Sequence, residues 1–203
     1  MDLTLLFKGI VIGFAMAIPI GPIGIMCIRK TLAEGRVRGL VVGLGAATAD
    51  MVFASIAAFG LTVISNSLLS QKVLIRLIGG AIILYIGLRI FYAKSSEPEF
   101  NIRQGGYFKS YFSILILTLT NPFTVFAFIA VFATFDLGTG LNFFSALTLV
   151  TGVFAGSALW FISLSSFVTI FRSKLDLARL QRVNKIAGVL IILSAVLTVV
   201  SLF

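Results

Sequence analysis

Hydrophobic residues along this chain gather into six long runs separated by short polar links: approximately Leu3 to Ile28, Gly39 to Ile64, Val73 to Tyr92, Ser110 to Phe135, Phe143 to Phe171 and Val183 to Phe203. A helix needs about 20 residues to cross a hydrocarbon core roughly 30 Å thick, and each run is long enough. The pattern predicts an all-α membrane protein of six transmembrane helices. Two of the runs carry interruptions. Pro19-Ile20-Gly21-Pro22 lies inside the first and Asn121-Pro122 inside the fourth. Proline lacks an N–H and its ring collides with the carbonyl four residues earlier, so helices 1 and 4 should be broken there. Gly21 and Asn121 are capping types, each followed by a proline suited to the first position of a new helix.

The two halves of the chain also match each other. Gly21-Pro22 recurs as Asn121-Pro122, Phe53 as Phe161, and Gly80-Ala81-Ile82-Ile83-Leu84 as Gly188-Val189-Leu190-Ile191-Ile192. Three spans per half is an odd number, so a second copy must enter the membrane upside down. The expected organisation is two inverted three-helix repeats, residues 1–93 and 109–203, joined by a polar linker at 94–108. Inverted repeats with interrupted helices at matching positions are the sequence pointer to alternating-access transport.

Composition narrows the chemistry. Of 203 residues, 59% are hydrophobic and 11% charged, where soluble domains carry about a quarter charged. There is no histidine and a single cysteine, Cys27. Metal sites of the His/Cys type, internal disulfides and Ser-His or Cys-His catalysis are thereby excluded, and no cofactor is expected. The start of the chain, Met-Asp followed by a long apolar run, lacks the basic region and short apolar core of a cleaved signal, so it should remain as a span.

The net charge of +9 reads as topology and not as a nucleic-acid surface. Thirteen of the 16 basic residues fall around the links after spans one, three and five, and only Lys8, Lys72 and Arg76 lie on the opposite side. The positive-inside rule makes the rich links cytoplasmic and puts both termini outside. Lys8 would snorkel toward the interface.

Distance from those basic markers estimates depth. Asp50, Asn121 and Trp160 each lie 12 residues from one, about 18 Å along a helix, and Gly21 lies 8 residues from Arg29, about 12 Å. All four fall near the bilayer centre. Asp50 is the one acidic residue deep inside a run, and such residues face the bundle interior and mark ion or substrate paths. Its helical neighbours Gly39, Gly43, Ala46, Ala47, Ala54 and Ala57 form a stripe of small residues, so it should point into protein or a cavity. A purely structural aspartate bonded to hydroxyl or backbone groups is the plainer reading. Gly9/Gly13, Gly39/Gly43 and Gly152/Gly156 have the spacing of helix-packing faces and would allow a homodimer. Trp160 either lines a pocket or fills core, and Cys27 reads as inert filler.

Taken together, Pro19-Ile20-Gly21-Pro22 in span one, the Gly43-to-Asp50 run in span two, Asn121-Pro122 in span four and Gly152 to Trp160 in span five resemble the LysE/RhtB amino-acid exporter family. The similarity covers essentially the whole chain. It departs from the family's usual pattern in the extra Ile20 and in Ala49 before the aspartate. The resemblance implies a secondary transporter of the bacterial inner membrane that exports amino acids against proton entry, and not an enzyme.

The candidate substrate site is Pro19, Gly21, Pro22, Asp50, Asn121, Pro122, Ser157 and Trp160, with Asp50 also the candidate proton-coupling residue. Half-helix N-termini suit a carboxylate, while Asp50 and freed carbonyls of Ala15, Ile18 and Thr118 suit an ammonium group or a proton. The partners expected are therefore lipid, an amino acid and protons. An uncoupled channel or facilitator, or a membrane assembly partner without transport, are the alternatives.

Overall fold

The computed structural model describes residues 2–19, 22–68, 106–134, 137, 141–171 and scattered positions within 81–92 and 185–196. Spans three and six and the linker at 94–108 fall largely outside the described residues. Six helices are described: α1 (Leu3–Ala17), α2 (Pro22–Glu34), α3 (Arg36–Leu68), α4 (Tyr107–Leu119), α5 (Pro122–Thr134) and α6 (Phe143–Ile170). No strand occurs among the described residues. In α3 and α6, Arg36–Gly60 and Phe143–Ile170 are long and apolar enough to cross a membrane, and α4 with α5 makes a third crossing if the bent pair is one span.

Local chemistry sets the helix limits. Asp2 caps α1 by accepting from the backbone N–H of Thr4 at 3.0 Å, and Asn142 caps α6 by accepting from Ser145 N–H at 2.8 Å. The helix α1 stops at Ala17, two residues before Pro19, and α2 resumes at Pro22. In the same way α4 stops at Leu119 and α5 starts at Pro122, with the axes bent by 62°. Both interruptions fall at the prolines, as their missing N–H requires.

At the far end of α2 the chain turns through Gly35, whose φ of 93° is left-handed and whose N–H closes on Thr31 O at 3.0 Å. Glu34 at this elbow accepts from Lys30 and pairs with Arg38 Nε at 2.7 Å. The hydrogen bond from Lys30 first, then the charges of Lys30 and Arg38, hold its carboxyl below the usual glutamate range. Arg38 in turn stacks over the Tyr107 ring at 4.4 Å and donates to Ser110 Oγ, so the elbow is tied to the start of α4.

The bundle is assembled on α3 and α6, which pack against each other and run antiparallel. Phe59 meets Phe143 at one end (ring centroids 5.7 Å apart) and Gly43 meets Phe161 toward the other. The helix α1 lies on α6, α4 lies on α3, and α2 and α5 both pack on α3. Glycine makes the α1–α6 crossing possible. A Cβ on Gly152 would sit 2.9 Å from Gly9 Cα, and one on Gly13 would sit 2.8 Å from Val153 Cα. Without a hydrophobic drive between helices in lipid, such backbone contact supplies the van der Waals attraction that holds them together. Many hydroxyls in these apolar helices are satisfied within their own turn, as when Ser163 donates to Leu159 O and Thr151 to Leu147 O.

Replacing Gly156 by alanine should force α1 off α6, because its Cβ would meet the Ile10 carbonyl. Overpacking of this kind costs about 1–3 kcal/mol. Gly60, where an added methyl group would have no atom within 4 Å, is the control. Thermal unfolding in detergent should show a lower midpoint for Gly156→Ala and an equal or higher one for Gly60→Ala.

Candidate functional site

Asp50 is where the α3–α6 seam becomes polar. The stripe of small residues around it is buried, with Ala47 and Ala54 at 0% exposure, and this lets α6 approach close enough for a direct bond. Ser157 donates from Oγ to Asp50 Oδ2 at 2.6 Å. Both side chains are buried, at 7% and 0% exposure. Among the described residues Asp50 has no cationic side chain in ion-pair reach; the only described pairs are those of Glu34 with Lys30 and Arg38. A carboxylate taken out of water needs compensation, and one hydroxyl supplies part of it.

The flanks of both helix breaks pack into the two hydrophobic clusters that border this seam. Met16 packs against the cluster that holds Ala49, Phe53 and Val153, while Ala17 and Ile23 pack against the one that holds Ala46 and Phe161. From the second break, Leu117 joins the Ala46–Phe161 cluster and Val125 the Ala49–Phe53 cluster. The flanks of both interruptions thus join the clusters that hold the residues one turn either side of Asp50 and of Ser157.

Of the sequence-predicted residues, Asp50 and Ser157 are brought into direct contact. Trp160 is half-buried beside them on α6, its ring edge-on to Phe14 of α1 at 5.4 Å. Pro19 is half-buried in the bend after α1, and Asn121 half-buried between α4 and α5. Gly21 and the side chains of Pro22 and Pro122 lie outside the described residues.

At both breaks, donors just past the helix end bond carbonyls of its last turns. At the second, Thr120 N–H donates to Ile116 O at 2.9 Å, Thr120 Oγ1 to Leu117 O at 3.0 Å and Asn121 N–H to Thr118 O at 3.0 Å. The Thr118 carbonyl, expected to serve an incoming ammonium, already accepts a backbone bond. The helix-end carbonyls here are bonded by Asn121 and by Thr120, a residue that no sequence motif singles out. At the first break Ile18 N–H donates to Phe14 O at 3.1 Å.

A second polar knot lies one layer nearer the Gly35 elbow. Cys27 is fully buried, its Sγ 3.4 Å from both Gly39 O and Ser165 Oγ, and Thr31 donates to Cys27 O at 2.7 Å. Sequence spacing identifies Gly39 as a packing position. It carries no signal that Cys27 and Ser165 are its neighbours.

The sequence profile of the LysE type translocator family matches residues 14–202. The chain is 27% identical over 168 residues to the "Uncharacterized membrane protein YahN" of Escherichia coli (strain K12), covering 81% of this chain and 75% of the relative. It is 25% identical over 186 residues to the "Putative amino acid efflux protein YcgF" of Bacillus subtilis (strain 168), covering 89% of this chain and 88% of the relative. No solved structure gives a significant match.

Ser157→Ala removes the hydroxyl donor and strands the buried carboxylate, a loss of about 1–3 kcal/mol for an unsatisfied buried group. Unfolding in detergent should register that loss in the single variant and almost none when Ser157→Ala is added to Asp50→Ala. Equal losses in both backgrounds would mean that the two side chains do not interact.

Proposed function

The chain belongs to the LysE type translocator family, a family of transporters and not of enzymes, and from that premise we propose that it exports amino acids across the bacterial inner membrane in exchange for protons. The observation that carries this reading is the buried Asp50–Ser157 bond in a seam bordered by clusters into which the flanks of two broken helices pack. An amino acid zwitterion asks for two things at once: donors for its carboxylate and a negative or carbonyl-rich place for its ammonium. The half-helix starts at Pro22 and Pro122 offer backbone N–H groups and the positive end of the helix dipole. Asp50 offers the negative charge. Similarity to a relative whose name mentions amino acid efflux supports the same substrate class.

Coupling follows from competition. Asp50 accepts either a proton or the substrate ammonium, not both, so substrate leaving on one side makes room for a proton entering from that side. Such exchange needs two access states, and the internal repeat supports a route to them. The first helix of each half packs on the long helix of the other half: α1 on α6, and α4 on α3. Gly45 and Val153, separated by the same offset as Phe53 and Phe161, are both points of backbone approach, Gly45 to Tyr111 O and Val153 to Gly13. The proposed units are 1–93 and 109–203, with 94–108 between them, both termini outside and the basic links in the cytoplasm. The glycine face of α1 is occupied by α6, so Gly9, Gly13, Gly152 and Gly156 serve the fold of one chain and leave any homodimer to other surfaces.

Cells overproducing the protein and loaded with a mixed amino acid pool should release one or a few of them, with the rate falling when the proton gradient is collapsed. Asp50→Asn should reduce gradient-driven efflux by at least about tenfold while the protein still reaches the membrane. Efflux unchanged by gradient collapse would indicate a facilitator, and normal efflux from Asp50→Asn would reject the coupling role.

A further inference from the structure

Two phenylalanines flank the Asp50–Ser157 pair, one on each side along the membrane normal. The helix α6 runs from Phe143 toward the basic segment that begins at Arg172, so Phe161 lies one turn, about 6 Å, from Ser157 toward that basic end. There its ring root sits directly on Gly43 of α3, close enough that a Cβ on Gly43 would be 2.8 Å from Phe161 Cγ. Beyond it lies the Cys27–Ser165–Gly39 layer. The helix α3 runs the other way, starting at Arg36, so Phe53 lies about 4.5 Å from Asp50 toward the opposite end. Phe53 is 3% exposed, with its ring centroid 6.3 Å from that of Phe128, in the cluster that includes Val150 and Val153. Phe161 is 5% exposed. The two residues occupy matching positions of the two halves.

We propose that Phe161 and Phe53 are the two gates of the transport path: Phe161 closes the seam between Asp50 and the basic side, Phe53 closes it toward the other side, and the structure is the state in which both are shut. An apolar ring in a narrow seam blocks ions and zwitterions because crossing it would require shedding water with nothing polar in exchange. Opposite Phe161 the seam wall is glycine, which lets the side chain seat directly against the α3 backbone and fill the seam. The partner wall of Phe53 is Phe128 on α5, the helix that follows the second break, so movement of that half-helix would release Phe53. The inference rests on Asp50–Ser157 being the substrate site, and it adds which residues control entry to it from each face.

The test reads access and requires neither substrate nor coupling, so it stands apart from the fate of the proton-exchange reading. In a Cys27→Ser background, Ser157→Cys places a thiol at the centre of the seam. A membrane-impermeant methanethiosulfonate reagent is then applied to sealed spheroplasts and to inside-out vesicles. With both phenylalanines present, labelling should be slow from either face. Adding Phe161→Ala should speed labelling at least about tenfold from the face of the basic links and leave the other face unchanged, and Phe53→Ala should do the reverse. Phe161→Leu and Phe53→Leu, which keep most of the apolar volume, should give the same sidedness with a smaller rise, about threefold, and they carry the test if an alanine variant does not accumulate. Labelling that stays slow in all four variants, or rises from both faces together, would overturn the proposal.

Discussion

The hydrogen bond that joins the two longest helices, Ser157 to Asp50, is the constraint the rest of the bundle serves. Two long helices can hold a carboxylate between them only if they come close, and they come close only because the residues around it are alanine and glycine. Ala46, Ala49, Ala54 and Ala57 line α3 on either side of Asp50, all at 2% exposure or less. On α6 the approach is set from behind, where α1 crosses at Gly152 and Gly156 with backbone against backbone. Side chains larger than hydrogen on that rear face would shift α6 and with it the hydroxyl. The position of one polar atom thus depends on how closely α1 can approach at two glycines.

That economy explains the distribution of polar groups through the described residues. Most hydroxyls bond the carbonyl one turn back on their own helix and so cost nothing to bury. Others cross between helices, among them Ser157 to Asp50, Thr48 to Tyr111 at 2.7 Å, and Ser165 to Cys27. Each joins a helix of the first half to one of the second. Interhelical bonds in membranes are individually modest, about 0.6 kcal/mol on average by mutant cycles. A set of weak cross-bonds of this kind ties the helices together without locking them as a large polar network would.

Much of this is legible along the chain. The fifth hydrophobic run spans Phe143 to Phe171, and the helix observed is Phe143–Ile170. Both breaks fall at the prolines because their cause is local. Asp50 turns inward because a charge in lipid has nowhere else to go. What the sequence hides is pairing. The Gly152/Gly156 face is recognisable as a packing surface, but a one-dimensional pattern does not say that α1 covers it. Ser157 stands beside a glycine motif, with nothing in the pattern to mark it as the donor to Asp50. The first hydrophobic run ends near Ile28, before Arg29 and Lys30. The helix instead continues to Glu34, because Lys30 pairs with Glu34 along α2, Arg38 pairs with it from across the turn, and Gly35 supplies the stop.

If Asp50 is the point where substrate and proton exclude each other, binding must displace a proton whenever one is present. The direct measurement is proton release on adding the exported amino acid to purified, weakly buffered protein, repeated across a range of pH. Competition at Asp50 predicts release at the acid end of that range, none at the alkaline end, and none at any pH from the Asp50→Asn protein. Binding that is proton-neutral throughout, or release that persists in Asp50→Asn, would contradict it.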